Sequence, residues 1–248
     1  MIIHIGKDKL DMAAHAAKMA GDKVREAIKL RGEARIIVAT GASQFEFLEA
    51  FVKEPGIDWT KVTGFHLDEY VGIPVTHKAS FRNYMRTRFV SKTPQPLKAF
   101  NEVDGEAADP EAEITRLEKL LRAAPIDVAC VGIGENGHLA FNDPPADIDC
   151  ARAYKVVPLD DKCRMQQVGE GWFATKDEVP THAFSMSMKQ ILWSKAIVCT
   201  CPDARKAEAV KGALEGPVTN MLPSSFLQLH PDCGMFLDPH SASLVTVR

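Results

Sequence analysis

Apolar residues recur along this chain at two different periods. Across residues 11–30, rich in Ala, Met, Lys and Glu, they fall at helical spacing, and Gly32 follows as a stop signal. Residues 35–39 form a short apolar run that predicts a buried strand, with a turn at Thr40, Gly41 and Ala42. Ser43 and Glu46 have capping-box spacing and predict a helix to about residue 52. Residues 62–67 predict the next strand, and Ser80 opens a helix to residue 89. At Asp109, Pro110 and Glu111 a capping acid, a proline at the first helical position and an acid in the first turn start a helix to about residue 124. A strand at residues 126–131 leads straight into a glycine-rich stretch. Residues 143–180 show no clear period and are expected to be irregular. Strands follow at residues 183–187 and 196–201, then a helix over 203–214 and a last strand within 227–237.

Strands alternating with helices predict an α/β fold: a mostly parallel central sheet between two helical layers. No repeat, low-complexity tract or linker divides the 248 residues, so one domain spanning 1–248 is expected. A net charge of −3 gives no basic excess, which argues against a nucleic-acid partner. No run approaches the length of a membrane-crossing helix. The first residues lack the pattern of a secretory signal, and the six cysteines form no CxxC pair or zinc spacing. A reducing, cytoplasmic setting is therefore expected, with Cys130, Cys199 and Cys201 as small buried hydrophobes.

The candidate chemistry begins in Gly132-Ile-Gly-Glu-Asn-Gly-His-Leu-Ala-Phe-Asn-Asp-Pro144. Gly132, Gly134 and Gly137 match a dinucleotide-binding spacing, which also requires a helix opening at the third glycine. Pro144 and Pro145 follow too soon for that helix, so the nucleotide reading is set aside. Asn136, His138, Asn142 and Asp143 remain, clustered just past a buried strand, where α/β sheets place ligands. A histidine with an adjacent carboxylate can take and return protons. His138 with Asp143, oriented by Asn136, is the minimum set for opening a sugar hemiacetal. His66 and Asp68, two apart on a strand, offer a metal-ligand reading, but no HExxH pair supplies further ligands, and no metal is expected.

The glycine-rich stretch resembles the signature of the glucosamine-6-phosphate deaminase (isomerase) family, relatives of the 6-phosphogluconolactonases. Phe65-His-Leu-Asp-Glu-Tyr-Val-Gly-Ile-Pro74 is similar to a second block of that family. The resemblance implies a Rossmann-like topology, no cofactor, and a sugar phosphate as the small-molecule partner. It makes Asp68 the base that removes the C2 proton, with Glu69 in support. Thr40, Gly41, Ala42 and Ser43 match the family's phosphate turn, although Ala42 replaces its second glycine. Lys206 matches the phosphate-binding lysine, Arg164 is the candidate for a mid-chain phosphate arginine, and Gly137 belongs to the substrate-binding stretch. Asp143 stands where the family usually has Glu. Trp172 and Phe173 fit either a lid or the core. The family includes hexamers and simpler forms, so a homo-oligomer is compatible with the resemblance. The expected activity is deamination and isomerisation of glucosamine 6-phosphate or a close analogue. A lactone hydrolase or another sugar-phosphate isomerase is the enzymatic alternative, and a non-catalytic sugar-phosphate sensor the alternative of another class.

Overall fold

The computed structural model describes residues 1–169 and 171–246. The chain opens with β1 (Ile2–Ile5), α1 (Lys9–Arg31), β2 (Ala34–Val38), α2 (Phe45–Phe51) and β3 (Val62–His66). Next come β4 (Asp68–Tyr70), α3 (Phe81–Arg88), β5 (Ala99–Asn101), α4 (Pro110–Leu121), β6 (Val128–Val131) and β7 (Tyr154–Pro158). The last third holds α5 (Asp161–Gly169), β8 (His182–Met186), α6 (Met188–Leu192), β9 (Ala196–Cys201), α7 (Ala207–Glu215) and β10 (Cys233–Leu237).

Seven strands form one parallel sheet in the order β1-β10-β9-β6-β2-β3-β5. Its central strands are buried on both faces, and alternation along each strand feeds two separate cores. Ile37, Ala129, Val131 and Ile197 pack with Ile114 and Leu117 of α4 and Val210 of α7. Ile36, Val38, Val128 and Val198 pack with α1, α2 and α3 through Ala16, Ala20, Phe47, Phe51 and Met85. The expected three-layer α/β architecture follows from these two faces. Among the described residues no helix is long and apolar enough to cross a membrane.

A second sheet, antiparallel and ordered β4-β8-β7, was not expected. The strand expected at residues 183–187 lies in this sheet, and β7 and α5 fall in the stretch expected to be irregular. At the rims, β1 and β5 were not expected; they are four and three residues long and neither holds a buried residue. The strand placed within 227–237 is confined to β10, after a 3-10 segment at Pro223–Leu229. The helix expected from Asp203 begins at Ala207, because Asp203 is held at φ +90° and a 3-10 turn intervenes. Nor does the Ser43–Glu46 capping box form. Gly41, at φ +100°, sends the chain through a 3-10 turn at Ala42–Gln44, so the helix starts at Phe45 with no side-chain cap.

Three other helix signals act as read. Gly32 closes α1 in the left-handed conformation, and Ser80 accepts from the Asn83 N–H at the start of α3. Asp109 accepts from the N–H groups of Glu111 and Ala112, with Pro110 at the first position of α4. Asp109→Ala should therefore cost about 1 kcal/mol. It should show as a lower urea midpoint at unchanged slope.

Candidate active site

A cavity of about 330 Å³ runs along the carboxyl ends of β9, β6, β2 and β3, which are neighbours in the sheet. Open α/β sheets bind ligands at this edge. The segment after each strand contributes cavity residues: Lys206 after β9, His138 after β6, Thr40–Ser43 after β2 and Asp68 after β3. Helix α3 closes one side with Tyr84 and Arg88, and Gln167 and Trp172 reach in from the α5 region.

The two successive acids have opposite surroundings. The chain leaves the parallel sheet at His66 and enters the antiparallel sheet at Asp68, so Leu67 is where it changes sheets. Glu69 is fully buried and accepts from the N–H groups of Tyr70, Phe81 and Arg82 and from the Ser80 hydroxyl, at 2.8–3.1 Å. Asp68 lines the cavity, 7% exposed, and its Oδ1 has no hydrogen-bond partner among the described residues. Burial, then the neighbouring Glu69 charge, push the Asp68 carboxyl up to about 8, with Thr40 pulling the other way. Glu69 does not line the cavity and stands behind Asp68 as a positioning group, so its place among the substrate-binding residues is not supported by the geometry.

His66 is not Asp68's partner on a metal-ligating face. The change of sheet between them breaks the strand alternation on which that reading rested. His66 is wholly buried against the Val103 N–H at 3.5 Å, and burial, then Arg82, push it down to about 3. Among the described residues, one group of three potential metal ligands is close enough to converge: His4, Asp11 and His15. None of the three lines the cavity.

The glycine-rich stretch runs as turns with no helix, as its prolines imply. An added Cβ at Gly134 would lie 2.2 Å from Cε1 of His138, so the backbone at Gly134 makes the seat for that ring. Asn136 Nδ2 donates to Asp143 Oδ1 at 2.8 Å, and Asn136 Oδ1 accepts from the His138 N–H at 3.1 Å. Asp143 Oδ1 lies 3.0 Å from His138 Nδ1. Among the described residues Nδ1 makes no aligned hydrogen bond, so the carboxylate lies close to the ring but off its N–H direction. The shorter acid thus reaches the histidine, at an angle. Burial acts to raise the Asp143 carboxyl, but the His138 contact and the Asn136 amide outweigh it and hold the group below its ordinary value. Asn142 is buried and structural, donating to the carbonyls of Leu139 and Met186.

The turn after β2 packs against the carboxyl ends of β6 and β9. A Cβ at Gly132 would lie 2.8 Å from Gln44 Nε2 and 3.1 Å from Ser43 Oγ, so a larger residue there would push on both side chains. Buried Gln44 receives a hydrogen bond from Thr200 Oγ1 of β9 at 3.1 Å. The Tyr84 hydroxyl donates to the Gly41 carbonyl at 2.8 Å.

Two further assignments are corrected. Arg164 does not line the cavity; its guanidinium donates to the carbonyls of Lys176 at 2.7 Å and Val179 at 3.0 Å. Gly137 does not line it either, and sits at φ +84° where a Cβ would meet Leu222 Cδ1 at 2.3 Å. Of the two aromatics left open, Trp172 lines the cavity and Phe173 is core. The sequence reading missed Gln44, Lys78, Tyr84 and Arg88. The last two lie on α3 and reach the turn only through tertiary packing.

A family model described as glucosamine-6-phosphate isomerases/6-phosphogluconolactonase matches residues 7–235. The chain is 40% identical over 211 residues to a glucosamine-6-phosphate deaminase of Listeria welshimeri, covering 84% of this chain and 86% of that one. It is 35% identical over 238 residues to the glucosamine-6-phosphate deaminase of Lacticaseibacillus paracasei, covering 96% and 98%. A solved structure, a monomeric glucosamine-6-phosphate deaminase, superposes with a TM-score of 0.88 at 28% identity, covering 98% of this chain and all of that one. A putative 6-phosphogluconolactonase of Neisseria gonorrhoeae shares the fold, with a TM-score of 0.74 at 20% identity and coverage of 96% and 99%.

The burial of Asp68 has a consequence for stability. Its folded value, about 8, stands above the roughly 4 of an unfolded aspartate, so the folded state holds its proton more tightly. The stabilisation this provides is complete below about pH 4 and is lost as pH rises through about 8. Asp68→Asn, which carries no charge at any pH, should therefore melt above wild type at pH 8.5, with the gap narrowing towards pH 5. Equal melting differences at both values would contradict the buried, uncompensated carboxylate.

Proposed function

The chain belongs to the family of glucosamine-6-phosphate isomerases and 6-phosphogluconolactonases, and from that premise we propose that it deaminates glucosamine 6-phosphate to fructose 6-phosphate and ammonia. One observation carries the reading. A buried carboxylate held near pH 8 shares a cavity with His138, whose ring is backed from outside the cavity lining by Asp143, and the two sit on different strand ends. An aldose–ketose conversion needs both parts: one to open the ring and one to take a proton from carbon.

In this reading His138, paired with Asp143 and braced by Asn136, moves a proton from O1 to O5 and opens the pyranose. Asp68 then removes the proton from C2. The electron pair forms a C1–C2 double bond while the aldehyde oxygen takes up a proton, giving an enol. A proton returned to C1 draws the nitrogen lone pair into a C2 imine. Water adds to that imine, and ammonia leaves with the ketose behind. The turn at Thr40, Gly41, Ala42 and Ser43, with Lys206, holds the 6-phosphate and supplies binding energy remote from the reacting carbons. Both sheets supply walls of the same cavity, which supports reading the chain as one domain, and the free Cys130, Cys199, Cys201 and Cys233 fit a reducing, cytoplasmic setting.

Incubation with glucosamine 6-phosphate should release ammonia and fructose 6-phosphate in equal amounts. Acid without ammonia from a sugar-phosphate lactone would favour the hydrolase alternative, and ligand binding without turnover the sensor. Asp68→Asn should lower kcat by roughly 10²- to 10⁴-fold while leaving sugar-phosphate binding within a few-fold. Because a base works ionised, kcat/KM should climb with pH along a limb whose apparent pKa is near 8. A profile flat from pH 6 to 9 would remove Asp68 from that role.

A further inference from the structure

We propose that Arg88 is the second cation of the substrate-phosphate site, acting beside Lys206; this rests on the sugar-phosphate reading above. A phosphate dianion taken from water into a cleft is best met by more than one charge-assisted donor. The mid-chain arginine expected for this purpose, Arg164, is occupied with backbone carbonyls away from the cavity.

The other cations on the cavity wall differ in what already holds them. Lys78 donates to the Gly171 carbonyl at 2.8 Å, and Arg205 is paired with Asp203 at 3.1 Å and Glu135 at 3.5 Å. Lys9 lies in the field of Asp203. Lys206 and Arg88 line the cavity with no carboxylate in ion-pair distance among the described residues.

Arg88 is nevertheless held in place. Its guanidinium carbon lies 3.9 Å from the centroid of the Phe45 ring and 5.6 Å from that of Tyr84. Those two rings stack on each other at 5.7 Å. A guanidinium resting on an aromatic face keeps its N–H edge available for an oxyanion. Both rings belong to the phosphate turn's own support. Phe45 is the first residue of the helix that follows the turn, and the Tyr84 hydroxyl holds the Gly41 carbonyl. An ordinary cation favoured by the C-terminal end of α3 would also explain a basic residue there. Arg86 fills that role, paired with Glu102 at 2.6 Å, whereas Arg88 lies over Phe45 beside the cavity.

Two measurements on the full chain test this: titration with inorganic phosphate, followed calorimetrically, and steady-state kinetics on glucosamine 6-phosphate. The variants are Arg88→Ala, Arg88→Gln, which keeps a planar group over Phe45 without charge, and Arg88→Lys. Losing a charged hydrogen-bond partner should weaken phosphate binding by roughly 10- to 100-fold in the first two. KM should rise by a similar factor and kcat should fall by less, with Arg88→Lys recovering part of the loss. Phosphate affinity and KM within twofold of wild type in Arg88→Gln, with circular dichroism unchanged, would overturn the proposal. So would a wild-type chain that binds no inorganic phosphate. A chain that binds phosphate through Arg88 but does not turn over the amino sugar would uphold this site and sink the deaminase reading.

Discussion

Taking a carboxylate out of water costs several kcal/mol unless donors replace the solvent, and at Glu69 four donors do so. Three of them come from Ser80, Phe81 and Arg82, so the buried charge fastens β4 to the first turn of α3. The helix, fixed there, carries Tyr84 to the Gly41 carbonyl and Arg88 to the cavity wall. The same charge is the second cause of the raised Asp68 carboxyl. A single satisfied acid thus sets the position of one wall and the acidity of its unsatisfied neighbour.

Small residues do complementary work on the opposite wall. Gly132 lets the turn after β2 close onto β6 and β9, and Gly134 leaves room for the His138 ring. Asn136 joins the backbone of His138 to the carboxylate of Asp143. Strand ends supply a rigid frame for these contacts, and geometry of this kind is sensitive to displacements near 1 Å. The contact between Asp143 and His138, 3.0 Å but off the ring N–H direction, is part of this frame.

Much of the central sheet was legible because buried parallel strands leave unbroken apolar runs and capped helices leave punctuation. The antiparallel sheet was not, since β4 is three residues long and overlaps the acidic block, and β7 carries polar residues. At the site, Asp68 and His138 were found through local motifs and do share the cavity. Arg164 was misplaced because a charge in sequence does not reveal whether nearby carbonyls will claim it. Tyr84 and Arg88 were missed because their meaning comes from a contact between α3 and a turn some forty residues earlier, and no local pattern encodes that.

The strand order also bears on how the chain comes to be folded. Strand β1, residues 2–5, pairs with β10, residues 233–237, and β10 lies between β1 and β9. As the polypeptide leaves the ribosome, β1 must wait for β10. The four strands that carry the cavity, β3, β2, β6 and β9, all precede β10 and pair in sequence without it. The cavity edge can therefore take shape on the nascent chain before β10 is made, while the β1 rim closes only once β10 is in place.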